Sequence, residues 1–401
     1  MGPEGFIYPN EAEIQWSVLI VLYPYITGLV AGSFIVSALY HVFGLKGLKP
    51  VARLSLLTAL AFLLVAPMAL QAHLGRPERA FEIFWTPNYR SAMAGFGYIW
   101  LFYTILVILE TWLVFRADIV KGALNSKGPK RMVYRVLTLG SLDASEAALK
   151  FDEKATKVLA TIGIPTAFLL HGYVGFIFGA IKANPWWSTP LMPVIFIMSA
   201  IVSGIALLTM VYIVTSAIKR IPIDQECLRN LGLWLLGFLL IDLALTGLEL
   251  LSMAYEKEES WSIISQLISN RLAVSYLGIQ LYFGALLPGF VLAITALIRY
   301  SDRISTLLRS LAAVMVLVGV FAMRWNVVIG GQQFSKSLRG FNSYSPPLFG
   351  QEGLATAVAI ALVPFVIFAV VTYLLPPWEA ATETSAEGSG GSDAAIAMRR
   401  R

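Results

Sequence analysis

The chain has 401 residues, of which 57% are hydrophobic and only 13% charged, and its mean hydropathy is +0.72. Soluble domains carry about a quarter of charged residues, so an ordinary soluble domain is excluded. The net charge of +6 suits loops facing an anionic leaflet and carries no message about nucleic acid.

The N-terminal segment, 1–15, is acidic and polar, and neither a cleavable leader nor a lipid anchor is expected there. Beyond it, apolar runs continue for more than 20 residues without the alternation of a membrane strand. The expected fold is therefore an all-α polytopic membrane protein with about nine transmembrane helices. The spans are predicted at 16–43, 51–74, 92–116, 157–181, 191–218, 229–251, 272–298, 306–330 and 353–375. The fourth and fifth form a hairpin whose short turn holds Asn184, Pro185, Trp186, Trp187 and Pro190. Gly28 and Gly32, four apart, put a smooth strip on the first span for close helix contact.

The odd-numbered loops and the C-terminal tail hold 21 of the 30 Lys and Arg residues, and the even loops hold eight. The positive-inside rule then places the N-terminus outside and the C-terminus in the cytoplasm of a prokaryotic cytoplasmic (inner) membrane. In the third loop, Ser145 opens a stretch of helix formers. A short cytoplasmic helix running into span four is expected there. The loop at 331–352 is rich in glycine and contains Pro346-Pro347, which exclude a continuous helix. With the Trp186/Trp187 turn it is expected to offer an outer docking surface. The tail, 376–401, is low-complexity and expected to be disordered and cytoplasmic.

A histidine inside a span must find a partner, a cavity or a ligand. His171 is one, and Tyr173 follows it. At similar outer depth lie Tyr23, His73 and Arg76. Histidine passes protons near neutral pH and tyrosine donates to carbonyls. A redox-active quinone head suits such a place, and an inter-helix hydrogen bond is the alternative for His171. Asp242 and Glu249 lie seven apart on one face of span six. Glu249 and Arg324 share a depth, which predicts a buried ion pair. Glu110 lies near Arg116. These acids mark either a proton route or helix packing. One cysteine, Cys227, and three histidines leave no means to hold haem, an iron–sulfur cluster or another metal within this chain. A transporter or ion channel would need paired midplane breaks and inverted repeats, and none is evident. A membrane anchor without a quinone site is the third reading.

Leu74-Gly75-Arg76-Pro77, Pro87-Asn88-Tyr89-Arg90-Ser91-Ala92-Met93, His171-Gly172-Tyr173-Val174-Gly175 and Trp186/Trp187 before Pro190 resemble the NrfD/PsrC family. Its members are quinone-interacting membrane subunits of respiratory complexes. Arg324-Trp325-Asn326 with Gly330-Gly331-Gln332 is similar to the longer members, nearest the DsrP type of the DsrMKJOP complex of sulfur metabolism. The resemblance covers about 16–350. It implies two four-helix bundles, 16–181 with the quinone site and 182–330, with the ninth span, 353–375, as an addition. It implies a menaquinone or ubiquinone bound near the periplasmic side as an exchangeable ligand. It also implies an extrinsic periplasmic iron–sulfur subunit and other respiratory-complex subunits as partners. Electron exchange would occur only with those partners, and proton translocation would be an extension of it. Tyr173 matches a tyrosine on the family's span four. Ile20 and Tyr23 stand where the polysulfide-reductase type carries an asparagine and a histidine, and His171 takes over the histidine's role.

Overall fold

The computed structural model describes residues 4–256 and 259–378. The tail expected to be disordered falls almost wholly outside them. Helix α1 (Val18–His41) begins at Ser17, whose hydroxyl accepts from the Leu19 amide. Helices α2 (Lys49–Val65) and α3 (Met68–His73) make one span interrupted before Pro67, which has no amide to continue the ladder. There follow α4 (Ala92–Asn125), α5 (Gly128–Leu137), α6 (Glu146–Gly179), α7 (Met192–Lys219), α8 (Gln225–Glu256) and α9 (Trp261–Gln266). A π-helical run over Leu267–Arg271 and Ala273–Leu286 leads into α10 (Leu287–Leu297), α11 (Asp302–Val328) and α12 (Leu354–Leu374). Two short strands, β1 (Glu4–Gly5) and β2 (Gly340–Phe341), pair antiparallel and pin the N-terminal segment to the loop before α12.

Among the described residues, nine helices are long and apolar enough to cross a membrane. The protein is an all-α polytopic membrane protein, as its apolar runs predict. Two boundaries differ. The helix expected after Ser145 runs into span four as one element, so α6 begins well before the span predicted at 157. Ser145 caps α6 itself, its hydroxyl accepting from the Ala148 amide, and the helix runs unbroken to Gly179. No glycine or proline falls between residues 146 and 162 to stop it. The α4 helix likewise continues to Asn125, and Arg116 of α4 meets Asp152 of α6 at 2.6 Å where the two extensions pack.

Helix α1 is the axis of the fold. It packs on α2 and α6 at one side and on α7 and α11 at the other. The first four spans and the next four therefore meet along α1 and α7, and α12 lies against α2. Gly32 and Gly204 set that crossing. A Cβ on Gly32 would stand 2.2 Å from the Ala200 carbonyl oxygen, and one on Gly204 would stand 2.3 Å from Gly32 Cα. Close backbone contact of this kind replaces the hydrophobic drive that lipid removes. The Gly32→Val variant is expected to lose about 1–3 kcal/mol of stability through overpacking, read as an earlier thermal unfolding midpoint in detergent.

The Trp186/Trp187 turn is not the docking surface expected. Both indoles are buried. Trp186 Nε1 donates to the Asn326 carbonyl at 3.1 Å and Trp187 Nε1 to the Val327 carbonyl at 2.6 Å. The last carbonyls of α11 have no partner within the helix, so the tryptophans cap it. Asn184 completes the clamp, donating to the Gly331 carbonyl at 2.6 Å.

Candidate functional site

His171 sits on α6 at the junction of four helices and is 1% exposed. Its ring lies against Gly28 of α1, where an added Cβ would come within 3.2 Å of Cε1. It also stacks on Phe196 of α7 with centroids 5.8 Å apart. Its Nε2 is 3.0 Å from Nη2 of Arg324 on α11. Arg324 is fully buried; Nη2 also donates to Ser199 Oγ at 2.6 Å, and its guanidinium lies 4.0 Å from the Phe196 ring centre.

A guanidinium has donors only, so His171 Nε2 must accept and the ring proton sits on Nδ1. Nδ1 has no hydrogen-bond partner among the described residues. Leaving a buried donor unmade costs about 1–3 kcal/mol, so this atom is suited to a ligand acceptor or an ordered water. The Tyr23 hydroxyl on α1 is in the same condition, buried and unpartnered among the described residues, its ring edge-on to Phe96 at 5.1 Å.

Tyr173 leaves α6 about 200° around the helix from His171, so the two face different neighbours. The Tyr173 hydroxyl packs against Gly95 of α4, 2.4 Å from where a Cβ would stand. Tyr23 and Tyr173 thus meet consecutive residues, Phe96 and Gly95, at the start of α4, and His171 turns to α1, α7 and α11. His73 and Arg76 are placed elsewhere. His73 Nδ1 lies 3.0 Å from Glu352 Oε1, just before α12, at an angle too poor for a hydrogen bond. Arg76 is exposed before the turn at Pro77–Phe84.

The predicted Glu249–Arg324 ion pair does not form. The bonds from Arg324 go to His171, Ser199 and the Phe196 carbonyl. Glu249 instead lines a small cleft with Trp186, Tyr276 and Asn326. Asp242 on α8 keeps a buried Oδ1 without a partner among the described residues. Glu110 on α4 is wholly buried, with both oxygens unpartnered among them. Its neighbour in sequence, Arg116, is taken by Asp152 and by the Asp143 carbonyl at 2.7 Å.

Sequence reasoning missed Ser199 and the chain from Ser275 Oγ to Asn326 Oδ1 at 2.6 Å and from Asn326 Nδ2 to Gln280 Oε1 at 2.8 Å. A serine in a small-residue helix gives no sign of which helix it will face. Among the described residues no group of three or more His, Cys, Asp or Glu could hold a metal ion.

The nine spans among the described residues, with a polar junction buried between them, define a multi-pass integral membrane protein. The family model for polysulphide reductase, NrfD, matches residues 9–336, and the chain belongs to that family. It is 30% identical over 380 residues to a selenate reductase subunit of Mesobacillus selenatarsenatis, covering 90% of this chain and 86% of that protein. It is 23% identical over 378 residues to the Hdr-like menaquinol oxidoreductase integral membrane subunit of Archaeoglobus fulgidus, covering 90% and 86%. It is 26% identical over 198 residues to protein NrfD of Escherichia coli, covering 48% and 58%. The chain is thus a membrane-embedded member of an oxidoreductase family.

Proposed function

We propose that this chain exchanges electrons between a membrane quinol and an extrinsic iron–sulfur subunit docked at the end of the bundle where α1 begins, the outer end by the positive-inside count. The observation that carries the reading is the orphaned donor His171 Nδ1, held in one tautomer by Arg324, together with the unpartnered Tyr23 hydroxyl. A quinone offers two ring carbonyls, and these groups with Tyr173 are the donors that suit them. In the bound state the quinone supplies the two-electron chemistry. His171 and Tyr23 orient the ring and hold or pass its protons at Nδ1 and the phenol oxygen.

Among the described residues no group of three or more His, Cys, Asp or Glu could hold a metal ion, and this reading assigns the storage of electrons to an external carrier. Exposed Trp85, Tyr89 and Phe349 in the outer loops suit its docking. The name of the Archaeoglobus relative favours menaquinol. The name of the Mesobacillus relative favours a terminal oxyanion reductase, beside the DsrP type that the Arg324-Trp325-Asn326 motif favours. Proton translocation is an extension of this reading that would draw on Asp242, Glu249 and Glu110.

In the purified complex, Tyr23→Phe deletes one hydroxyl and leaves the ring on Phe96. We expect the KM for a soluble quinol analogue to rise about tenfold or more, as the loss of a buried hydrogen bond implies, with assembly of the complex unchanged. An unchanged KM would leave the chain an anchor.

A further inference from the structure

A cavity with polar groups in its walls lies outside the His171 junction. Between α7, α8, the π-helical run and α11 is a cavity of about 160 Å³, with Ser199, Asp242, Thr246, Tyr276, Gln280 and Gly284 among its walls. Helix α8 packs on α7 and α10, and the π-helical run packs on α11; the two hardly touch each other. They are also among the least buried spans, with 22% and 17% of their apolar windows covered. The cavity is lined by these two elements where they fail to meet. Its rim is open: a Cβ on Gly247 would meet nothing within 4 Å.

The walls are mostly hydrocarbon, with the polar side chains of Ser199, Asp242, Thr246, Tyr276 and Gln280 among them. Asp242 Oδ1 there is buried and has no partner among the described residues. The wall opposite is a π-helical run, a rare form frequently found at functional sites. A cavity of about 150 Å³ accepts a benzene-sized ring, so one substituted ring fits.

Depth decides which lipid-soluble molecule suits it. Asp242 lies near the middle of the span Gln225–Tyr255. A phospholipid keeps its polar head at the interface, and carrying a charge to that depth costs several kcal/mol. A quinone or quinol carries its polar ring on a hydrocarbon tail and needs no charge. Asp242, Gln280 and Tyr276 supply donors and acceptors for ring oxygens, and the open rim at Gly247 leaves room for the tail. We propose that the α8/π-helix cleft is a second quinone site, separate from the one at Tyr23 and His171. Ser199 joins the two, lining the cleft and accepting from the guanidinium that also holds His171.

The test is photolabelling of the full chain in nanodiscs with an azido-benzoquinone, whose single ring the cavity admits, followed by peptide mapping. The expected result is label on peptides from both the Tyr23/Tyr173 region and the Asp242/Gln280 region. Gly247→Trp, which fills the open rim, is expected to cut the second set about tenfold, a loss of near 1.4 kcal/mol of binding, and to spare the first. Gln280→Leu, which removes a polar group from the wall without adding bulk at the rim, is expected to weaken the second set as well. Label confined to the first region overturns the second site and leaves the function proposed above intact. Label confined to the second region supports the cleft and overturns the first. No label in the cleft, label there indifferent to both variants, or a density map with only water or a phospholipid chain in the cleft ends the inference.

Discussion

His171→Leu is expected to destabilise the protein by about 1.5–3 kcal/mol, more than the loss of one neutral hydrogen bond. The reason lies in what it strands. Arg324 is 0% exposed, and His171 and Ser199 are its two close oxygen or nitrogen acceptors. Removing a neutral acceptor from a buried guanidinium leaves one of its N–H donors unmade, at about 1.5–3 kcal/mol. Arg324→Leu strands only the neutral Nε2 of His171, at about 1–3 kcal/mol. The double variant removes both and is expected to be less destabilised than the sum, by about 0.5–3 kcal/mol of coupling. Thermal or denaturant unfolding of the four proteins in one detergent closes the cycle. Strict additivity would mean that the imidazole and the guanidinium do not sense each other.

A second large effect is expected far from the quinone. Asp152→Ala breaks a buried ion pair and leaves Arg116 with the Asp143 carbonyl as its acceptor among the described residues, which costs about 3–5 kcal/mol. The pair ties the extensions of α4 and α6, and Ser145 and Asp143 sit directly before it. Asp143 Oδ1 accepts from the Ser145 amide at 2.9 Å, and this bond holds the Asp143 carboxyl below its ordinary range. The Asp152→Ala protein is expected to be cleaved faster by protease in the segment between α5 and α6. Quinol KM should be unchanged, because no part of this pair reaches Tyr23 or His171. An altered KM with unaltered proteolysis would contradict the assignment.

The sequence made the architecture legible because a bilayer imposes a single length on every crossing helix. Continuous apolar runs therefore mark spans even where propensity is mute, and Ser145 announced the start of α6 through its capping chemistry. The Gly28/Gly32 strip announced a close contact, although not that α7 would supply it. Partner choice was the part that stayed hidden. Arg324 and Glu249 share a depth, yet which faces meet depends on helix rotation. The guanidinium turned to an imidazole, a hydroxyl and an aromatic face on α6 and α7. Arg116 stood near Glu110 in the chain, but its acid came from α6, 36 residues on. The tryptophan turn was legible as aromatic and rigid. Its burial was not, because that depends on the bare carbonyls at the end of α11. The cleft beside Asp242 left no sign in the sequence, since a cavity is a property of helices that fail to meet.

In the proposed function, two unpartnered donors on α1 and α6 receive a quinone ring. A density map of the intact complex with a quinone-site inhibitor bound tests this most directly. The predicted result is an inhibitor oxygen at hydrogen-bond distance, about 2.7–3.2 Å, from the Tyr23 hydroxyl or His171 Nδ1, with Arg324 still on Nε2. Inhibitor bound elsewhere, with the imidazole enclosed by hydrocarbon and Nδ1 bonded within the chain, would contradict it.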